Sequence, residues 1–277
     1  MFAGPRRVGL HGLRDAGHAA ATMQEHHVTS FEALEKLFRT RFDRTDCIFR
    51  GVNDHENHRL RPKVGRPAQG HSPYSLPRER GLLERFKQQA AGLLPTPPNT
   101  TWDWLALAQH HGLPTRLLDW SFNPLVATWF ALQGLYPPVQ PRKRKSAPPV
   151  PSTPGVYVRR LPKWVDPHKS ANPFGVRQVQ SFLPTHVTRR ITAQAGLFTV
   201  HPNPREDWES DGTSKIVLAL DEQQWRHATR CMLRIGIHQY ALFPDLDGLT
   251  AHLSMLYLRD FNVSLGDPGG HNVNAEG

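Results

Sequence analysis

Three short stretches of this chain hold polar groups where apolar neighbours favour burial. In IFRGV, Arg50 is flanked by Ile48, Phe49 and Val52. A guanidinium in apolar surroundings needs an anionic or carbonyl partner. That partner is either a structural carboxylate or a bound phosphate or carboxylate, which the planar fork can grip bidentately. The second stretch, QHHGLPTRLLDWSFN, covers residues 109–123. Its Gln109, His110 and His111 end a predicted helix, where imidazoles suit the negative end of the dipole. Thr115, Arg116 and Asp119 follow, and Arg116 can pair with Asp119. Trp120 can stack on a base, but its place beside an apolar run favours packing. The third, RRITAQAGLF at 189–198, sets Gln194 among apolar residues near a glycine that permits close backbone or ligand approach.

Elements that can hold these groups are legible around them. FEALEKLFRTRF has helical apolar spacing after Thr29 and Glu32, which fit a capping box. CIFRG, residues 47–51, reads as a strand end, and the Pro- and Gly-rich stretch to residue 77 as a loop. RERGLLERFKQQAAGLL is an amphipathic helix with Leu82, Leu83, Phe86 and Ala90 on one face. TWDWLALAQHHG is a helix that Thr101 can cap and Gly112 can close; TRLLDW is extended; Pro124 opens a buried helix, PLVATWFALQGL. A rigid polar turn backed by such a helix is what a preorganised site needs. GVYVRRL, the end of QSFLPTHVTRRITAQAGLFTVHP, and KIVLAL read as strands. DEQQWRHATRCMLRIGI reads as a helix, and LFPDLDGLTAHLSML as a loop and helix. The pattern is α+β in one domain over 29–265, with a split mixed or antiparallel sheet flanked by helices. Residues 1–28 are expected to be a flexible extension and 266–277 a flexible tail.

Bulk properties narrow the function. The 277 residues carry a formal charge of +10 with His neutral, which favours a polyanionic partner such as DNA or RNA. Pro141–Lys145, in a Pro-rich stretch, adds four positive charges, either as a solvated loop or as a contact to nucleic acid. The two cysteines form no CxxC pair, so a disulfide framework or metal cluster is not expected. HENH at 55–58 lacks zinc-motif spacing. P-loop, dinucleotide-fingerprint and nucleophile-elbow patterns are absent from the sequence. No apolar run approaches the roughly 18 residues that span a bilayer, and the first residues lack the apolar core of a leader. The expectation is a cytoplasmic protein with no membrane partner.

FRG at 49–51, PKVGR at 62–66, WLALAQHHGLPTRLLDWSFNPLVATWFA at 104–131, RITAQAGLF at 190–198 and LFPDLDGL at 242–249 together resemble the FRG-domain family. The resemblance runs from about residue 30 to 260, interrupted by the basic Pro-rich insert 137–154. The order of elements is also similar, more weakly, to the ADP-ribosyltransferase fold. That likeness implies Arg50 on a first strand, Thr115 or Ser121 on a second strand followed by a packed helix, and Gln194 at the third position. It implies NAD as co-substrate and no metal. Arg50, Gly51 and Arg116 would then hold the dinucleotide, with both arginines on the pyrophosphate. Asp119 would orient Arg116 or a ribose hydroxyl, and His110 or His111 would act as general base toward the acceptor. Such a transferase fits a toxin or phage-defence effector, with nucleic acid as acceptor and an antitoxin or neutralising protein as partner. The third position departs from the usual Glu: Gln194 can hydrogen-bond but cannot supply negative charge to an oxocarbenium-like transition state. The alternative is a non-catalytic nucleic-acid or nucleotide-binding module.

Overall fold

Capping and burial decide where the first elements begin. The computed structural model describes residues 23–66, 73–133, 152–170, 172–185, 189–208 and 212–258. The Ser30 side chain accepts the Ala33 N–H at 3.1 Å, and α1 (Phe31–Arg41) then buries Phe31, Leu34 and Phe38. The cap is thus Ser30 rather than Thr29, and Glu32 reaches His227 at 2.7 Å instead of completing a capping box. The segment expected to be an extension includes regular structure, and its residues 1–22 lie outside the described residues. Gln24–Val28 forms β1, an edge strand paired in parallel with β7 (Thr213–Leu218). Only Val28 of β1 is fully buried, so its polar sequence shows no alternation to read.

Among the described residues the strands form one seven-stranded mixed sheet, in the order β1, β7, β4 (Gly155–Arg160), β2 (Cys47–Val52), β3 (Leu117–Ser121), β6 (Gly196–Val200) and β5 (Gln180–Phe182). β2 runs antiparallel to β4 along its whole length. β3 does the same with β6, and β6 carries the short β5. Between these two halves lies a seam. β2 and β3 share a single registered pair, Phe49 opposite Ser121. The sheet expected to be split is therefore continuous, but almost parted at this point.

Helices pack on each half separately. α1, α4 (Pro124–Leu132) and α6 (Glu222–Arg234) bury Leu34, Val126, Trp129, Trp225 and Met232 against the β2 side. α2 (Leu76–Ala90) and α3 (Thr101–His110) bury Leu83, Trp102 and Leu105 with Leu117, Phe182 and Phe198 on the other. On α2, Leu83 and Ala90 are buried and Phe86 packs against them. Leu82 is exposed, because the inward stripe is narrower than its four expected members. Thr100 rather than Thr101 caps α3, accepting the Asp103 N–H and donating to the Asp103 carboxylate. Gly112, at φ 87°, turns the chain out of that helix as a residue with a Cβ does only under strain. Asn123 caps α4 through Leu125 N–H, with Pro124 at the first position.

Two short helices, α5 (Arg189–Ala193) and α7 (Gln239–Leu242), and the longer α8 (Leu246–Leu258) complete the β6 end. Residues 137–151 of the basic insert and the tail 266–277 lie outside the described residues. Among the described residues no helix is long and apolar enough to cross a membrane. The molecule is an α+β single domain with helices on both halves of a mixed sheet.

Candidate active site at the sheet seam

α4 packs beside the seam. It follows β3 directly and crosses to lie against β2, so closely that a Cβ on Gly51 would fall 1.8 Å from the Ala127 carbonyl oxygen. Gly51 lines the resulting cleft, but its backbone is committed to this packing. The missing Cβ lets helix and strand approach closely. The cleft has a volume of about 390 Å³, in the range of small-molecule sites.

Arg50 bridges the seam. Its Nη1 donates to the Asp119 main-chain oxygen at 2.7 Å and lies 3.5 Å from Asp119 Oδ2. Its Nε is buried without a partner, and no hydrogen bond joins Nη2 to any described residue. Arg66 and Arg190 also line the cleft. Arg66 Nε donates to the Arg61 carbonyl at 2.9 Å. Arg190 lies over the Phe243 ring, 4.1 Å from its centroid. Burial lowers the pKa of both, and for Arg66 the Arg50 charge lowers it further. Against these three guanidiniums, Asp119 is the single carboxylate among the described lining residues. A cleft so composed attracts anions.

Asp119 sits at the end of a directed chain of hydrogen bonds. Leu117 N–H donates to Thr115 Oγ1 at 3.2 Å, which leaves the hydroxyl proton for Gln109 Oε1 at 2.6 Å. The Gln109 amide must then present its NH2 group outward, and Nε2 donates to Asp119 Oδ2 at 2.9 Å. Thr115 is buried and does not line the cleft; it acts on the site through Gln109.

Histidines divide in the same way. His110 lines the cleft, and burial first and then the Arg190 charge lower its pKa, which favours the neutral ring. His111 is exposed outside the cleft with its ring 4.9 Å from that of His110. Of the two expected candidates for a base, only His110 faces the cavity. His58, the second histidine of HENH, also lines it, with a pKa lowered by burial and by Arg66.

Ser121 and Gln194 meet across the β3–β6 junction. Ser121 Oγ donates to the Gln194 carbonyl at 2.7 Å and accepts Asn123 N–H at 2.9 Å. Its proton is thus engaged in holding the turn before β6. Both residues line the cleft, but the Gln194 side chain donates from Nε2 to the Leu242 carbonyl at 3.1 Å, tying it to α7. Ala195, next in the chain, sits at φ 45°, a strained value for a residue with a Cβ, directly beside the site. Trp120 packs as expected: buried, with Nε1 donating to Thr199 Oγ1 at 3.0 Å.

Arg116 is the clear correction. It neither pairs with Asp119 nor reaches the cleft. It is buried at 1% exposure against Glu79 at 2%, 2.7 Å apart. Tyr74 Oη accepts a further bond at 3.0 Å, and the Phe174 ring covers the guanidinium at 4.7 Å. Three positions separate Arg116 from Asp119 in extended chain, and an odd separation puts them on opposite faces. Arg66 occupies the cleft in its stead; the loop reading of 53–77 gave it no role beyond its place in PKVGR.

The class is therefore an α+β domain whose cationic cleft opens at the seam of a mixed sheet. A family model for the FRG domain matches residues 45–137, from just before β2 to just past α4. The matched span includes Arg50, the Thr115–Gln109–Asp119 chain and α4, the parts that build one side of the cleft. No curated protein and no solved structure matches the chain.

Proposed function

We propose that this protein is a NAD-dependent ADP-ribosyltransferase acting on a macromolecule, with nucleic acid as the acceptor, in a toxin or phage-defence role. One observation carries the reading. Arg50 of β2, Ser121 at the end of β3 before the packed helix α4, and Gln194 just before β6 all line the same cleft. This is the order of positions that the ADP-ribosyltransferase fold uses. The excess of guanidinium over carboxylate suits a pyrophosphate, which Arg50, Arg66 and Arg190 would share.

The chemistry follows from the groups present. The bond between the ribose C1′ and the nicotinamide nitrogen breaks, and its electron pair neutralises the pyridinium as nicotinamide leaves. The ribosyl carbon passes through an oxocarbenium-like state. An acceptor oxygen or nitrogen bonds to it, and the acceptor proton moves to neutral His110. The net charge of +10 supports a polyanionic acceptor.

A second reading, a non-catalytic nucleotide or nucleic-acid binder, is favoured by Gln194, which is neutral and tied to the Leu242 carbonyl. Incubation with NAD labelled in the adenosine half separates the two. Single-stranded DNA, duplex DNA, RNA and a protein extract serve as acceptors in turn, with folded Arg50→Ala as control. Label transferred to one polymer, and lost in Arg50→Ala, supports the transferase and names the acceptor class. Salt-sensitive nucleic-acid binding with no transfer and no nicotinamide release supports the binder.

A further inference from the structure

The transferase reading leaves the cationic ribosyl carbon without an opposing charge, since Gln194 carries none. We propose that Asp119 is the catalytic carboxylate of the cleft, and that Gln109 and Thr115 are its positioning residues. This rests on the reading of the cleft as a NAD site.

Three observations converge on Asp119. It is the single carboxylate among the described lining residues, and its side chain is 55% exposed rather than closed off in an ion pair. Arg50 takes its main-chain oxygen at 2.7 Å and stands 3.5 Å from the carboxylate, so the main-chain bond is the closer one. The directed chain from Leu117 N–H through Thr115 and Gln109 delivers one amide N–H to Oδ2, and Oδ1 has no hydrogen-bond partner among the described residues. A charged oxygen held by one end and open at the other is fitted to face a developing positive charge. A carboxylate that served only to neutralise Arg50 would not need an oriented amide on its far side.

Asp119→Asn removes the charge while keeping an acceptor for Gln109 and the main-chain carbonyl for Arg50. Nicotinamide release from NAD and ADP-ribose affinity are measured on the full chain, with a melt to confirm folding. The expected result is a fall in kcat of about 10²–10³-fold, with ADP-ribose affinity within about threefold of wild type. Asp119→Glu recovers part of the lost kcat. Thr115→Val and Gln109→Leu lower kcat by about tenfold, as for other residues that orient a reacting group, and Thr115→Ser recovers it. A fall in kcat below tenfold in Asp119→Asn, or a loss matched in ADP-ribose affinity, overturns the proposal. If Asp119→Asn does not fold, Gln109→Leu and Thr115→Val decide: a fall in kcat of about tenfold with ADP-ribose affinity unchanged, recovered in Thr115→Ser, upholds the proposal, and an unchanged kcat or a matched loss of affinity overturns it. A wild-type protein that releases no nicotinamide overturns the transferase reading itself, and is recognised before any variant is compared.

Discussion

Two arginine–carboxylate pairs in this molecule differ in burial, in separation and in how completely their hydrogen bonds are satisfied. Arg116 and Glu79 are closed off at 1% and 2% exposure, their charges 2.7 Å apart, with a tyrosine hydroxyl and an aromatic face completing the shell. Arg50 and Asp119, at 17% and 55%, stand 3.5 Å apart beside a cavity, with one arginine nitrogen buried and unpartnered. The first pair satisfies itself and holds α2 to β3. The second does not, and its unused hydrogen-bonding capacity faces a space sized for a ligand. Satisfaction of a buried charge marks structure; its incompleteness beside a cavity marks a site.

The largest effect that sharpens this contrast is on folding. Arg116→Ala strands Glu79 as a buried charge, and such a loss costs about 3–5 kcal/mol. Arg116→Ala should therefore unfold, or melt far below wild type in a thermal scan, whereas Arg50→Ala should remain folded. A folded, stable Arg116→Ala would erase the distinction.

Next in size is ligand binding. Arg50→Ala removes the charged donors that would grip a phosphate, each worth about 1.5–3 kcal/mol. ADP-ribose affinity by calorimetry should fall accordingly, about ten- to a hundredfold, while the same titration on Lys36→Ala, on the exposed face of α1, should match wild type.

A smaller effect is expected with pH. His201, beneath the β3–β6 half, accepts or donates a bond with Thr199 at 3.0 Å. Burial first, then Arg50, Arg159 and Arg116, push its pKa down to about 3 from an ordinary value of 6.5. The unfolded chain therefore takes up the proton first. The stability this provides is present above about pH 6.5 and is lost on acidification toward the folded value, by about 1.4 kcal/mol per pH unit. Denaturant midpoints across that window should fall with acid, and His201→Gln should flatten the slope by about one proton. An unchanged slope would remove His201 from the account.

The smallest effect concerns the strained turn beside Gln194. Ala195→Gly relieves a left-handed backbone but frees the unfolded chain, two terms of about 1 kcal/mol and opposite sign. The melt should stay within a few degrees of wild type. A large destabilisation would mean the Ala195 methyl packs more than its conformation costs.

How much of this was legible in the chain follows from what each signal measures. Arg50 was readable because Ile48, Phe49 and Val52 force its burial, and the structure gives it the carbonyl and carboxylate partners that burial demands. α4 was readable from continuous apolarity after Asn123–Pro124. The pairing of Arg116 was not, since Glu79 lies 37 positions away, and nearness in sequence pointed to Asp119 instead. β1 escaped because an edge strand draws its stability from ladder hydrogen bonds rather than a buried face. Arg66 and His58 escaped because loop residues have no periodicity to reveal which way they point. Gln109 stood in view at the end of α3, but its work depends on the Thr115 proton, which only geometry assigns.

The most direct test of the account sets Arg50→Ala and Arg116→Ala side by side, each melted with and without NAD. Arg50→Ala should melt near wild type and lose the NAD-induced rise in Tm that wild type shows, whereas Arg116→Ala should unfold or melt far below wild type. An Arg50→Ala protein that still gains Tm from NAD, or a wild type that gains none, would contradict it.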